Sequence, residues 1–260
     1  MELCLRLVGF EYRQYFTRVQ NNQFRTIVAE FNPDSYTMWA PRPGTGPFNK
    51  LGYVGPELPQ ARTAGTIRIA CLGDSCTQIG SPAYPERLAV LLQAQGFPEV
   101  EVMNWGVAGY SSYQGLVRLE HDVLTYRPDI YTFYFGWNDH WIRAGLEDSP
   151  AAAPHTSGSP ICAALMESRI AQGGDLIAEA FRKKHTQFRV PLAAYRSNLL
   201  HMIQLARESG GKGLLITAPG CLGDDRPLVL LLEGLPSLGY PTAAAVHEDY
   251  VAATREVAAE

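Results

Sequence analysis

The sequence predicts a three-layer α/β/α sandwich built on a mainly parallel β-sheet. From residue 66 onward, short apolar runs alternate with amphipathic helical segments, and polar or glycine-rich turns follow the apolar runs. Continuous apolar runs are typical of strands that are buried on both faces, and parallel strands need long crossover connections, usually helices. A chain of 260 residues is long enough for one such domain with an appendage.

The segment that precedes this alternation, residues 1–64, is predicted to be an irregular or antiparallel β extension that packs on the main domain. Aromatic and β-branched residues cluster at 24–28, whereas prolines at 33, 41 and 43 interrupt any longer element. We therefore expect two regions, an N-terminal extension over 1–64 and a core domain over 65–260.

Within the core domain, apolar runs predict four strands and helical spacing predicts the helices between them. The predicted strands are 66–72, 100–104, 130–135 and 213–217. The predicted helices are 84–95, 112–126 and 191–208. Their apolar stripes are Leu88, Leu91 and Leu92 in the first, Leu116, Leu119, Val123 and Leu124 in the second, and Leu192, Leu199, Leu200, Ile203 and Leu205 in the third.

Two segments interrupt the alternation of strands and helices. Residues 146–159 are rich in alanine, proline and serine and are predicted to be a loop, with a short helix at 175–184 in the same insertion. Residues 219–241 contain an aliphatic run that fits a lid over a substrate groove and a short buried helix equally well. The sequence then ends in a predicted helix over 243–260.

Composition and charge exclude several classes of function. The net charge of −4 gives no basic footprint for nucleic acid. The five cysteines lack metal-ligand spacing and favour free thiols in a reducing compartment over a disulfide framework. No run approaches the ~20 apolar residues of a membrane span. If Met1 is the true start, we expect a soluble, cytoplasmic protein without a signal peptide, and an upstream anchor stays open.

Three polar turns follow the first three predicted strands. They are Gly73-Asp74-Ser75, residues 104–109 and residues 136–139, the last of which contains Asn138. In an open parallel sheet, ligands bind beyond the carboxyl ends of the strands, where strand order reverses. If the first strand lies between the second and third, a hydroxyl, a glycine-rich turn and a carboxamide would face one point. These are the groups that acyl transfer needs, although Ser75 could also be a turn-capping serine without chemistry.

These three turns resemble the sequence blocks of the SGNH, or GDSL, hydrolase superfamily of esterases and lipases. Gly73-Asp74-Ser75, with Thr77 and Gly80, is similar to the nucleophile block. Residues 104–109 resemble the second block, and 136–139 resemble the third, Gly-x-Asn-Asp. Three such blocks in order, each after a predicted strand, are a specific signal.

The resemblance implies a flavodoxin-like strand order of 2-1-3-4-5 and a set of site residues. Ser75 would be the nucleophile, and the backbone N–H groups of Ser75 and Gly109 with the side-chain amide of Asn138 would form the oxyanion hole. Asp74 and Asp139 are interpreted as loop-stabilising carboxylates. No metal or cofactor is implied. The expected substrate is a small-molecule, carbohydrate or lipid ester, with no nucleic-acid partner.

The family's fourth block, Asp-x-x-His, supplies the histidine base, and it does not occur here. None of the six histidines has an aspartate three residues earlier. We therefore expect that the sequence stops before a fifth strand and this block. The resemblance predicts a serine esterase, and the alternative is a catalytically incompetent fragment or binding module.

The remaining side chains near these turns are predicted to have structural roles. His140 is interpreted as a wall or solvent-facing residue and His247 as a surface residue. Cys76 is disfavoured as a nucleophile because no histidine partner is evident. Trp105, Trp137 and Trp141 fit groove lining and core packing equally well. A phosphate-binding or nucleotide-binding protein is disfavoured because no phosphate-binding glycine motif follows the first strand.

Overall fold

A parallel sheet lies at the centre of the protein, which a computed structural model describes over residues 1–10, 31–34, 36–144, 147–148, 168–181, 186–220 and 238–260. The strands are β1 (Phe31–Asp34), β2 (Met38–Pro41), β3 (Ile67–Gly73), β4 (Val100–Gly106), β5 (Ile130–Tyr134), β6 (Ile142–Ala144), β7 (Thr186–Phe188) and β8 (Lys212–Leu215). The helices are α1 (Glu2–Leu7), α2 (Ser75–Gln78), α3 (Tyr84–Ala94), α4 (Ser112–Arg118), α5 (Arg169–Phe181), α6 (Leu192–Glu208) and α7 (Ala243–Ala259).

The central sheet has the order β4-β3-β5-β8, and its neighbouring strands are all parallel. This confirms the predicted order 2-1-3-4, and within the described residues the sheet has four strands. Gly73 pairs with Gly106 on one side and with Tyr134 on the other. The turns that follow β3, β4 and β5 therefore leave the sheet at the same level.

Helices cover both faces of the sheet, which confirms the predicted three layers. Alternate residues of a strand point to opposite faces. Ala70 and Leu72 of β3 belong to a large apolar cluster with side chains of α4, α6 and α7. Ile69 and Cys71 belong to a second cluster, which includes Tyr84, Leu88 and Leu92 of α3.

The predicted stripes of α3 and α6 each contain one residue that faces solvent. Leu91 is 62% exposed, because Leu88 and Leu92 already form the narrow stripe that contacts the sheet. Leu200 is exposed because the buried side of α6 follows Tyr195, Leu199, Met202 and Ala206, at steps of three and four residues. The predicted facing directions of Leu91 and Leu200 were therefore wrong by about 100°, the rotation between successive residues of a helix.

The second predicted helix changes its geometry partway along. It is α-helical only to Arg118, continues as a π-helical turn over Leu119–Val123 and ends in a 3₁₀ turn over Leu124–Tyr126. Arg127, with a φ of 48°, stops it. Leu116, Leu119 and Val123 are buried as predicted.

Of the other predicted elements, one helix is confirmed, one is shifted along the chain, and several segments lie outside the described residues. The C-terminal helix is confirmed as α7, and the short helix expected at 175–184 is observed earlier, as α5. β1 and β2 pair antiparallel, and Trp39, Phe48 and Tyr53 join the large cluster. The domain boundary at residue 64 stays a prediction. The 24–28 cluster, most of the 146–159 loop and most of the 219–241 segment lie outside the described residues.

Cys4, Cys71 and Cys76 are free. Among the described helices, none combines the length and the apolar character that crossing a bilayer requires.

A pair of glycine substitutions tests the packing of α4. A Cβ atom at Gly115 would overlap the ring of Phe135, whereas a Cβ at Gly174 in α5 would meet nothing within 4 Å. We expect Gly115→Ala to lower the free energy of unfolding by about 1–3 kcal/mol through overpacking. Gly174→Ala should raise it by about 0.5–1 kcal/mol through helix propensity. Urea denaturation measures both values, and stabilisation by both substitutions would contradict the packing.

Candidate active site

Ser75 begins the short helix α2 directly beyond the carboxyl end of β3. Asp74 caps this helix, and its Oδ1 accepts the Cys76 N–H at 2.8 Å, as expected for a turn-stabilising carboxylate. Ser75 itself is half-buried. Because it is the first residue of the helix, its N–H lacks an acceptor within the helix.

The side chain of Asn138 joins the three turns. Its Nδ2 donates to Asp74 Oδ2 at 3.1 Å and to the Tyr110 carbonyl at 3.0 Å. Asp74 precedes Ser75, and Tyr110 follows Gly109. The residues that the sequence singled out therefore meet at one edge of the sheet, and Asn138 is only 3% exposed there.

The turn after β4 is shaped by short polar contacts. Asn104 Oδ1 accepts the Gly106 N–H at 3.0 Å, and Gln78 Oε1 accepts the Ala108 N–H at 2.5 Å. Gly109 follows with a φ of +80°, in the left-handed region that favours glycine. Gln78 belongs to α2, so the helix that begins at Ser75 also orients this turn.

Asp139 is a buried carboxylate that links the turn after β5 to the start of α4. It accepts the Ser112 N–H at 2.8 Å and the Gly136 N–H at 3.1 Å, in agreement with its predicted loop-stabilising role. Burial raises its pKa to about 7, against the hydrogen bond from Ser112 and the positive charge of Arg189. Burial also raises the pKa of Asp74 to about 6.

Cys76, next to Ser75, is a poor candidate nucleophile. Loss of hydration, and secondly the adjacent Asp74 carboxylate, raise the pKa of its thiol to about 12. The thiolate is the nucleophilic form, so this raised pKa disfavours attack by the thiol near neutral pH. The hydroxyl of Ser75 remains the better candidate.

His247 is not a surface residue, contrary to the sequence prediction. It is 2% exposed, and its Nε2 lies 3.0 Å from the Ala218 carbonyl, while its Nδ1 lies 3.1 Å from His140 Nε2. Its ring stacks on Trp137 with centroids 4.4 Å apart. The helical spacing of His247 with Tyr250, Val251 and Thr254, all of which are buried, is the sequence signal that could have revealed this.

The hydrogen bonds of this histidine pair fix its tautomers. A carbonyl only accepts, so His247 Nε2 carries a proton and its Nδ1 accepts from His140 Nε2. His140 Nδ1 then has no hydrogen-bond partner among the described residues. Burial, with the neighbouring His247, lowers the pKa of His140 to about 3, which makes it a poor general base near neutral pH.

Trp105 and Trp137 have different surroundings. The sequence left open for both whether they line a groove or pack in the core. Trp105 packs in the core between the rings of Tyr53 and Tyr126, at centroid distances of 4.8 and 5.5 Å. Trp137 is half-buried against His247. Core packing therefore accounts for Trp105.

The fold and the convergent turns define an α/β/α protein with a serine, a glycine turn and an asparagine at the carboxyl edge of its sheet. A family model for the GDSL-like lipase/acylhydrolase family matches residues 71–260, and the chain belongs to this family. This confirms the resemblance seen in the sequence. Hydrolysis of small-molecule esters is the general chemistry that the family implies.

Several solved structures are similar to the chain. The lipase/acylhydrolase from Enterococcus faecalis is 22% identical, with a TM-score of 0.43 over 75% of this chain and 72% of that chain. Axe2, an acetylxylan esterase from Geobacillus stearothermophilus, is 19% identical, with a TM-score of 0.45 over 74% and 72%. TesA is 20% identical, with a TM-score of 0.42 over 74% and 73%. No curated protein matches the chain in sequence.

The buried histidine pair predicts acid sensitivity. Between pH 6.5 and about 3, unfolded His140 takes up a proton and folded His140 does not, so the contribution of His140 to stability falls as pH falls. His140→Phe removes this titration. We expect the stability difference between the native protein and the variant to shrink on acidification, by up to about 1.4 kcal/mol per pH unit. Urea denaturation from pH 4 to 7 measures it, and parallel pH profiles would refute the expectation.

Proposed function

We propose that the protein is a serine hydrolase of carboxylic esters with Ser75 as its nucleophile. The single observation that carries the proposal is the pair of hydrogen bonds from Asn138 to Asp74 and Tyr110. These bonds put a side-chain amide beside the residues that adjoin Ser75 and Gly109. A nucleophile with two backbone donors and one side-chain donor is the arrangement that acyl transfer requires.

The proposed reaction passes through an acyl-enzyme. A base takes the Ser75 hydroxyl proton while Oγ attacks the ester carbonyl carbon. The resulting oxyanion accepts hydrogen bonds from the N–H groups of Ser75 and Gly109 and from the Asn138 amide. The tetrahedral intermediate collapses, and the alcohol leaves with a proton. Water then attacks the acyl carbonyl carbon, the bond between this carbon and Ser75 Oγ breaks, and the carboxylic acid leaves as Oγ regains a proton.

The Asn138 amide must exchange a partner during this reaction. Both of its N–H groups are engaged in this structure, one with Asp74 and one with Tyr110. An oxyanion is a stronger acceptor than a neutral carbonyl, because charge-assisted hydrogen bonds are roughly twice as strong as neutral ones. Donation to the developing oxyanion in place of the neutral Tyr110 carbonyl would thus favour the transition state over the free enzyme.

A second candidate function is ester binding without turnover. The sequence contains no Asp-x-x-His, and His140, the histidine next to the Asn138-Asp139 pair, has its pKa lowered to about 3. Without a base, a serine hydroxyl is a weak nucleophile. This candidate keeps the three turns as a binding site and drops the covalent step.

Hydrolysis of p-nitrophenyl acetate separates the two candidates. The native chain and Ser75→Ala are assayed side by side at the same concentration. Turnover that is lost in Ser75→Ala supports the serine hydrolase. Equal rates in the two proteins contradict the serine hydrolase, because any remaining rate would then be independent of Ser75, and leave the candidate without turnover.

Replacing the proposed side-chain donor tests the oxyanion assignment. We expect Asn138→Ala to lower the Ser75-dependent kcat by about 10²–10³-fold, because the donor acts mainly in the transition state, and to leave KM unchanged. The matched control is Asn49→Ala, which loses hydrogen bonds to Leu51, Tyr53 and Gly55 in an N-terminal loop. Steady-state kinetics compares the variants, and near-native kcat in Asn138→Ala would remove Asn138 from the mechanism.

A further inference from the structure

Arg189 is a buried arginine that takes no part in the proposed reaction. It lies between β7 and α6, and its Nη1 donates to the Gly109 carbonyl at 2.8 Å. We propose that Arg189 is a positioning residue that holds the Gly109 turn in the conformation that presents its N–H to the oxyanion. The inference rests on the proposed function, because it assigns Gly109 the role of a donor.

The guanidinium of Arg189 is itself fixed by other buried groups. Asp148 Oδ2 accepts from Nε at 3.0 Å and from Nη2 at 2.6 Å, and Gln114 Oε1 accepts from Nη2 at 2.9 Å. Ser111 Oγ also donates to Asp148 at 2.9 Å. A planar fork that is held along several edges has little freedom, and a lysine ammonium cannot reproduce its geometry.

Fixed contacts lie on both sides of the Gly109 N–H along the chain. The Ala108 N–H is held by Gln78, and the Gly109 carbonyl is held by Arg189. The peptide group between Ala108 and Gly109 lies between these two anchors. Because Gly109 has no side chain to restrict its backbone, the anchors replace the restriction that a Cβ atom would give.

The same short segment also contacts the turn that carries Asn138. The Arg189 N–H donates to the Trp141 carbonyl at 2.9 Å, and the Val190 N–H donates to the Asp139 carbonyl at 3.0 Å. Residues 189–190 thus hold one proposed donor turn through a side chain and the other through the backbone. They fix the separation of the two donors, on which stabilisation of an oxyanion depends.

Nuclear magnetic resonance detects the Gly109 amide directly and does not require the protein to be catalytically active. Selective isotope labelling of alanine carbonyls and glycine amides reports only Ala-Gly pairs, which occur at 64–65, 108–109 and 144–145. Gly109→Ala identifies the Gly109 cross-peak by its loss. We expect Arg189→Lys to shift or broaden this cross-peak, because the Gly109 carbonyl loses its anchor.

Arg68→Lys is the matched control. Arg68 is fully buried, pairs with Glu101 and donates to backbone carbonyls, but it lies near the opposite end of β3 from Ser75. Its substitution should destabilise the protein and leave the Gly109 cross-peak in place. If Arg189→Lys does not fold, Asp148→Asn, which weakens the anchor of the guanidinium, is measured instead with the same expectation.

The kinetic arm separates positioning from a general structural role. In a chain with Ser75-dependent turnover, Arg189→Lys should lower kcat by up to ~10²-fold with KM unchanged, as expected for a misplaced donor. An unchanged Gly109 cross-peak in the folded variant, or an unchanged kcat where Asn138→Ala lowers it, overturns the inference. Absence of Ser75-dependent turnover in the native chain overturns the proposed hydrolase. The Gly109 cross-peak then tests only whether Arg189 holds the Gly109 turn.

Discussion

The buried carboxylate of Asp139 is the contact on which the arrangement of the turns depends. Moving a carboxylate out of water costs free energy unless hydrogen bonds replace its hydration. Asp139 obtains them from the N–H groups of Ser112 and Gly136, which belong to the segments after β4 and β5. The neighbouring Asn138 is therefore held between these segments. Its side-chain amide is thereby placed within hydrogen-bonding distance of both Asp74 and Tyr110.

The parallel sheet supplies the frame that makes such a contact possible. β3 lies between β4 and β5, and the pairing of Gly73 with Gly106 and Tyr134 brings the three strand ends to one level. A Cβ atom at Gly73 or Gly106 would collide with α2, so these glycines allow the turn that carries Ser75 to pack closely on the sheet. Local backbone geometry and long-range strand order thus act together on the same few residues.

The sequence predicted the strands, their order and the meeting of the three turns, because each depends on local patterns or on blocks shared with a family. It did not predict contacts between distant segments. His140 and His247 are 107 residues apart, and Asp148 and Arg189 are 41 apart, on either side of the segment that contains α5. Leu91 shows the same limit, since its apolar character gives no sign of which helix face meets the sheet. Whether an apolar or titratable residue is buried depends on the element packed against it.

The charges around the proposed oxyanion site follow from the same burial. Asp74, Asp139 and Asp148 lie in or beside the turns, and three full negative charges there would oppose a developing oxyanion. Burial raises the pKa of Asp74 to about 6 and of Asp139 to about 7, which favours the neutral form of each carboxyl relative to an exposed aspartate. Asp148 pairs with Arg189. The raised pKa values and one buried guanidinium both reduce the negative charge, while the carboxyl groups keep the hydrogen bonds that position the proposed donors. A scaffold made of carboxylates is therefore compatible with a site that stabilises an anion.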